Sequence, residues 1–382
     1  MGGAGAAQPG RSGLTGGGPA PAVSPEALAL CRSCEVVDLH VETFVWTRIL
    51  GYDLGRAHGP GPTGARWLGQ ADLPRLAAGG LSAAVLSIAT NPARRPGTRT
   101  ATLLRNLARL RAAVERDPAA GARRPSAGND AVPGDGRAGN AAAAVVADLA
   151  GYRAARAAGR LAAFLAVQGA NAFDSAADVR LVPDGALLRV TLMHLTDSAL
   201  GATSSPLGRS RGRGGLTPAG RAMVGALNEG RILVDLAHAS KATFWPALDA
   251  HDRNLPPVVT HTGVAAVHPS WRNLDDDQIR AVADRGGAVG IMYHRGFLGR
   301  PARRVGAEAI VRHLEHVIAV GGEEAAALGS DWDGLIVTPR DMPTALDLPV
   351  LVDRMLARRW PEPRIRRVLA GNALRLIAAI RP

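Results

Sequence analysis

Eight short aliphatic runs alternate with longer Ala-, Leu- and Arg-rich segments, and this alternation limits the folds open to the chain. The runs are Val36–Leu39, Leu81–Ile88, Leu161–Val167, Leu187–Leu192, Arg231–Leu236, Pro257–Thr260, Ala288–Met292 and Ala325–Gly329. Short apolar runs separated by helical segments are typical of buried parallel strands. Eight of them predict an α/β fold, a closed (β/α)8 barrel of the TIM type.

The segments between and after the runs have the apolar spacing of helices. We predict helices over Leu103–Ala113, Pro218–Asn228, Lys241–Ala250, Asp275–Arg285, Ala307–Val320, Leu346–Arg359 and Pro363–Ile377. Residues 1–24 are rich in Gly, Ala and Pro and are expected to form a flexible tail before a single barrel domain over 25–382. Near 117–140 the periodicity is lost, which predicts a disordered insertion.

Composition helps to exclude two classes of partner. The formal net charge is +12, but the arginines that carry it are scattered and only 4% of residues are aromatic, so we expect no nucleic-acid binding. No apolar run approaches the roughly 20 residues of a membrane span, and no secretory or lipid-anchor signal is evident. We therefore expect a cytoplasmic protein without a membrane anchor. Cys31 and Cys34 lack a second pair at zinc-finger spacing and are interpreted as reduced thiols.

Polar residues that could carry chemistry stand at or just after the ends of six predicted strands. They are His40, Glu42, Gln168, His194, His238, His261 and Asp331. The C-terminal ends of barrel strands meet at one mouth, where the active sites of such barrels lie. Four histidines from four strands would there form a nitrogen and oxygen site suited to zinc or a similar cation.

The segments around these residues resemble, in order, the signatures of the membrane (renal) dipeptidase family of zinc metallopeptidases. The matching segments are Asp38–Glu42, Asp72–Leu76 with Gly79–Gly80, Val167–Gly169, Leu192–His194, Gly215–Gly220, Asp235–Ser240, Thr260–Thr262, Arg272–Asn273, Gly329–Gly334 and Gly371–Asn372. They extend over about residues 35–380. The resemblance therefore covers essentially everything beyond the tail.

The resemblance implies a metal-dependent dipeptidase with two zinc ions, a dipeptide-like substrate and a homodimer. It assigns His40 and Glu42 to one metal, and His238 and His261 to the other. Position 168 would bridge the two. Three further roles follow from the same resemblance: stabilisation of the oxyanion by His194, contact with the substrate carboxylate by Arg272, and contact with the substrate amine and proton by Asp331.

Two positions depart from the family pattern. Glu42 stands where the family has Asp, which keeps the charge and adds a methylene. Gln168 stands where the family has the bridging Glu, and an amide has no negative charge to hold two dications together. Three functions stay open: hydrolysis with one zinc ion or a weakened pair, binding of a dipeptide-like ligand without cleavage, or a related hydrolysis of a modified peptide.

Overall fold

The protein is described by a computed structural model that covers residues 23–91, 93–116, 142–210 and 214–382. Its strands are β1 (Val37–Val41), β2 (Ala83–Ala89), β3 (Ala143–Val145), β4 (Leu161–Gln168), β5 (Arg189–Thr191), β6 (Leu233–Asp235), β7 (Val258–Thr262), β8 (Ala288–Ile291) and β9 (Ala326–Leu328). The predicted insertion and nearly all of the predicted tail lie outside the described residues.

All of the named strands pair in parallel, and the pairing closes on itself. The order β2-β1-β9-β8-β7-β6-β5-β4 is completed by a further β2–β4 pairing that extends over seven residue pairs. β3 pairs with residues 161–163 in the N-terminal part of β4, while β5 pairs with residues 166–168 at the C-terminal end of the same strand. The predicted (β/α)8 barrel is confirmed, and β3 is an addition that the sequence analysis did not foresee.

Helices surround the strands. The α-helices are α1 (Pro25–Ser33), α2 (Phe44–Leu50), α3 (Leu73–Ala78), α4 (Arg99–Glu115), α5 (Leu149–Ala157), α6 (Pro218–Glu229), α7 (Lys241–Ala250), α8 (Asp276–Ala283), α9 (Arg295–Leu298), α10 (Glu308–Gly321), α11 (Leu348–Ala357), α12 (Glu362–Arg366) and α13 (Asn372–Ile380). None in the described part of the chain combines the length and apolar character that a membrane crossing needs.

Short polar side chains set the starts of several helices. Asp72, Asp148, Thr217, Ser240 and Asp275 each accept a hydrogen bond from a backbone N–H in the first turn of α3, α5, α6, α7 and α8, respectively. Such caps satisfy N–H groups that have no partner within the helix. The last predicted helix is in fact divided, because a π turn over Arg367–Gly371 separates α12 from α13.

The barrel interior is apolar where the strands begin. Val37, Ala83 and Phe164 belong to one buried cluster together with Leu376 and Ile377 of α13. The large cluster between strands and outer helices is separate from it and includes both cysteines, which are buried and not disulfide-bonded. Apolar packing thus fills one end of the barrel, and the polar side chains gather at the other end.

Candidate active site

The structure brings the five most prominent sequence candidates together at the C-terminal mouth. His40 and His261 lie near the ends of β1 and β7, and His194, His238 and Asp331 each come three residues after a strand. The rings of His40 and His261 stack with centroids 3.8 Å apart. The His238 ring makes edge contacts with His194 at 5.1 Å and with His261 at 4.9 Å. Four histidines from different strand ends therefore form one cluster.

The closest approach in the cluster is between the Nε2 atoms of His238 and His261, which are 2.9 Å apart. The Gln168 side-chain amide, at the end of β4, lies 3.2 Å from both of them. Thr260 Oγ1 donates to the Asp235 carboxylate at 2.7 Å and must accept from His261 Nδ1 at 2.9 Å. Because Nδ1 then holds the proton, the Nε2 lone pair of neutral His261 is free for a metal.

A second group of side chains lies around His40. Its Nε2 atom is 3.3 Å from Glu42 Oε1 and 3.5 Å from Asp331 Oδ1. Among the described residues, His40, His261 and Asp331 form the group whose ligand atoms all lie within 4.8 Å of one another and could hold a metal ion. In the part of the chain that the structure describes, neither His40 Nε2 nor Glu42 Oε1 has a hydrogen-bond partner, although both are buried.

Arg189 is a site residue that the sequence analysis missed. It is 1% exposed and points into the barrel, where its Nη2 donates to His40 Nδ1. Its Nη1 donates to Thr191 Oγ1 at 2.5 Å and to Asp235 Oδ2 at 3.2 Å. The one signal was an arginine inside an apolar run, because such a residue in a fully buried strand must face a polar interior or a charge.

Burial controls the charge states of the cluster. It lowers the pKa of His40, His238 and His261 well below the usual value, with further lowering by the nearby positive groups. Burial and the Arg272 charge lower the pKa of His194 to about 4. The imidazoles are therefore neutral at physiological pH, which is the form that binds metals or donates a neutral hydrogen bond.

The carboxyl groups of the mouth are shifted the opposite way. Burial raises the pKa of Glu42 to about 7, although a hydrogen bond from Ser87 and the charges of Arg189 and Arg48 act to lower this pKa. Burial, followed by the Glu42 charge, raises the pKa of Asp331 well above its usual value. Two buried carboxyl groups side by side favour a cation between or beside them.

Arg272 closes one side of the cluster. It is 3% exposed, its Nη2 donates to the backbone oxygen of His261, and its Nε has no partner in the described structure. A cavity of about 270 Å³ lies here, and its lining includes His238, Lys241 and Trp271. A buried guanidinium with unused N–H groups is suited to bind a carboxylate through two parallel hydrogen bonds.

The loops after β6 and β9 hold their site residues in unusual backbone conformations. His238 and Asp331 have φ angles of 65° and 62°, in the left-handed region that non-glycine residues rarely adopt. A neighbouring carboxylate supports the turn after β9, because Asp38 accepts from the N–H groups of His40 and Ser330. Strain retained in this way is common where side chains must be aimed precisely.

Asp333 has a structural role beside the same turn. Its carboxylate accepts from Thr43 Oγ1 at 2.7 Å and from the backbone N–H groups of Gln70 and Ala71 at 2.8 and 3.2 Å. These contacts attach the loop after β9 to the segment that precedes α3. None of them involves an imidazole.

Comparison with curated proteins gives a relative from Klebsiella pneumoniae, an uncharacterized protein in the pqqA 5' region. It is 35% identical to this chain over 166 residues, which are 43% of this chain and 60% of the relative. The chain thus spans less than two thirds of that relative's length.

Two solved structures have the same fold. One is a metallopeptidase from Rhodobacter sphaeroides liganded with a phosphinate mimic of the dipeptide L-Ala-D-Ala, at 23% identity and a TM-score of 0.74, covering 91% of this chain and 99% of its own. The other is the probable dipeptidase PvdM from Pseudomonas aeruginosa, at 14% identity and a TM-score of 0.74, covering 93% and 97%.

The sequence model of the membrane dipeptidase family, peptidase family M19, matches residues 25–381 of this chain. This match extends from α1 to the end of α13 and includes every residue of the cluster described above. The chain belongs to the membrane dipeptidase family.

Proposed function

We propose that this chain is a metal-dependent hydrolase that cleaves the peptide bond of a dipeptide or a dipeptide-like amide. The observation that carries the proposal is the 2.9 Å approach of two neutral imidazole Nε2 atoms, those of His238 and His261, beside Gln168. Family membership supports the reaction class. The charged and polar groups around the pair would supply the remaining requirements of amide hydrolysis.

The donor set fits a divalent cation such as Zn²⁺ at the His238 and His261 pair. Zinc binds neutral imidazole, and the His261 tautomer leaves Nε2 unprotonated. Gln168 would add its side-chain oxygen once its amide turns to face the ion. A bound cation of this kind supplies Lewis acidity, which polarises the scissile carbonyl and acidifies the attacking water.

Arg272 would bind the terminal carboxylate of the substrate and so fix which amide bond lies at the cluster. Its side chain is anchored at one end by the His261 carbonyl oxygen, while its Nε has no hydrogen-bond partner among the described residues. Because the guanidinium is already buried and oriented, little conformational entropy is lost when the carboxylate binds.

His194 and Asp331 would act on the reacting atoms. Neutral His194 can donate an N–H to the carbonyl oxygen as negative charge develops there, which is the role of an oxyanion donor. The Asp331 carboxylate can accept a proton from the attacking water or contact the substrate ammonium, since burial raises its proton affinity. The proton that Asp331 takes from the attacking water would then pass to the leaving amine as the carbon–nitrogen bond breaks.

Binding without cleavage is a second candidate function, and Gln168 is the residue that favours it. An amide at this position contributes no negative charge, so the cation would be held less tightly than by a carboxylate. A chain of this kind would keep the Arg272 contact to a dipeptide and release it unchanged.

The two functions are separated by one set of measurements. Protein loaded with Zn²⁺ is assayed for bound metal by elemental analysis and for hydrolysis of a panel of L,L- and L,D-dipeptides, and a chelator-treated sample serves as the control. Hydrolysis that requires the metal supports the proposal. Calorimetric binding of the same dipeptides without product supports the binding function, and the absence of bound metal contradicts a metal-dependent hydrolase.

A further inference from the structure

We propose that the Arg189 guanidinium, by its contact with His40, prevents the binding of one of the family's two metal ions, so that this site binds a single divalent cation at His238 and His261. The inference rests on the proposed function, because it assumes that a metal binds at that pair. Arg189 acts through other groups and is a positioning residue. Its proposed effect is to reduce the number of metal ions that the site binds from two to one.

The tautomers of His40 and His261 carry the argument. A guanidinium has only N–H donors, so the Arg189 contact requires an unprotonated Nδ1 on His40. In a neutral imidazole the proton is then on Nε2, the atom that faces Glu42 and Asp331. A protonated nitrogen has no lone pair for a metal. His261 has the opposite tautomer, because Thr260 Oγ1 accepts from its Nδ1.

The spacing of ligand atoms around His40 therefore does not by itself indicate a metal site. His40, His261 and Asp331 have the separations of a metal site, but the His40 Nε2–H points as a donor toward two carboxyl groups. Buried donors without a partner are costly, and the oxygens at 3.3 and 3.5 Å need only a small adjustment to accept. On this side of the cluster, neutral His40 presents its Nε2–H to the carboxyl groups of Glu42 and Asp331.

The buried charges of the barrel mouth point the same way. Two buried guanidinium groups lie among four buried carboxyl groups; the six residues are Arg189, Arg272, Asp38, Glu42, Asp235 and Asp331. Each guanidinium already compensates part of the negative charge that these carboxyl groups can carry, so less remains to hold a second dication in a buried site.

Gln168 fits a site with one cation. A bridging carboxylate is needed only when two cations share it, and a site with one cation can be formed without that negative charge. The loss of that charge at position 168 and the guanidinium at position 189 are therefore complementary changes. The fixed Arg189 is held by Thr191 and Asp235 as well as by His40, so its charge cannot move away when a metal arrives.

The first test is the number of Zn²⁺ ions bound by the intact protein. Chelator-treated protein is titrated with Zn²⁺ in a calorimeter, and metal content after dialysis is measured by elemental analysis. We expect one ion per chain. Two ions would overturn this inference and leave the proposed function standing, whereas no ion would overturn the proposed function itself.

The second test changes the two complementary positions. Gln168→Glu alone should still bind one ion, whereas Gln168→Glu combined with Arg189→Met should bind two. Asp235 retains donors when Arg189 is removed, because Ala237, Thr191 and Thr260 also hydrogen-bond to it. A folded double variant that still binds one ion would contradict the inference.

The third test reads the tautomer directly and does not depend on any variant of Arg189. Protein labelled with ¹⁵N-histidine and loaded with Zn²⁺ is examined by NMR, with the His40 signals assigned by their loss in His40→Asn. We expect protonated Nε2 and unprotonated Nδ1 on His40, and the reverse on His261. An unprotonated His40 Nε2 in the loaded protein would overturn the inference.

Discussion

The Nε2 atoms of His238 and His261 lie 2.9 Å apart at the mouth of the barrel, although the two residues follow different strands. Two neutral imidazoles at this distance can be joined by an N–H···N hydrogen bond or by a cation that both bind. The lowered pKa of both rings keeps them neutral, which is the form that binds a cation. Several measurable consequences depend on this pair.

His238→Ala should abolish tight Zn²⁺ binding and dipeptide hydrolysis together, because it removes one of two nitrogen ligands. We expect the affinity for Zn²⁺, measured by competition with a chromogenic chelator, to fall by at least about 100-fold. His316→Ala is the matched control, since His316 lies on α10 and contacts Asp276. Unchanged Zn²⁺ affinity in His238→Ala would exclude this residue as a ligand.

Gln168→Glu should strengthen the binding of the cation at the His238 and His261 pair. The volume is almost unchanged, and a negative charge is added 3.2 Å from both nitrogens. We expect the Kd for Zn²⁺ to decrease by about tenfold or more, which is about 1.4 kcal/mol. The same chelator competition measures it. A weaker affinity in the Glu variant would show that the amide oxygen is not directed at the cation.

Arg272→Lys should weaken binding of the substrate carboxylate and leave the chemistry largely intact. A lysine cannot form two parallel hydrogen bonds, so KM should rise by roughly 10- to 100-fold while kcat changes little. The control is a dipeptide with an amidated C-terminus, whose kinetics should be nearly the same in both proteins. An equal loss on both substrates would contradict the assignment.

Asp331→Asn should separate proton transfer from metal binding. The amide keeps the shape but cannot accept the proton of the attacking water, so kcat should fall by roughly 10²- to 10⁴-fold. Elemental analysis should find unchanged Zn²⁺ content. Loss of Zn²⁺ in this variant would instead make Asp331 a metal ligand.

Asp275→Asn tests an electrostatic contribution to stability at the start of α8, where Asp275 pairs with Lys241 of the cavity lining. Burial opposes ionisation of Asp275, but the hydrogen bond and charge of Lys241 and the N–H groups of Gln278 and Asp277 lower its pKa below the usual value. The stabilisation that the Asp275 charge contributes is therefore fully present above the pKa of Asp275 in the unfolded chain. It is lost as the pH falls through the lower pKa that Asp275 has in the folded protein.

Asn can still cap α8, so only the charge is removed. At pH 7 the variant should be less stable by about 0.5 kcal/mol in urea unfolding, a value reduced for partial exposure to solvent. At pH 2 the two proteins should be equally stable. A difference that persists at acid pH would indicate a loss of packing in place of a loss of charge.

The sequence predicted much of the fold because the barrel depends on local patterns. Each of the eight apolar runs overlaps an observed strand, and the predicted helix Lys241–Ala250 has the observed bounds. β3 was missed because three residues, Ala143–Val145, are too few for a periodic signal. The π turn within the last predicted helix was also missed, since its apolar spacing continues that of the flanking helices.

The sequence by itself determined which polar residues stand at the strand ends, because position along a strand and the parallel order of the barrel bring those ends together. Only the tertiary structure decided what surrounds each of them. Arg189 meets His40 across the barrel, and Asp235 accepts the Thr260 hydroxyl proton, which leaves the Thr260 oxygen to accept from His261. The proton positions on the two rings follow from these contacts. Contacts between residues distant in sequence depend on closure of the sheet and on strand register, which no local pattern encodes.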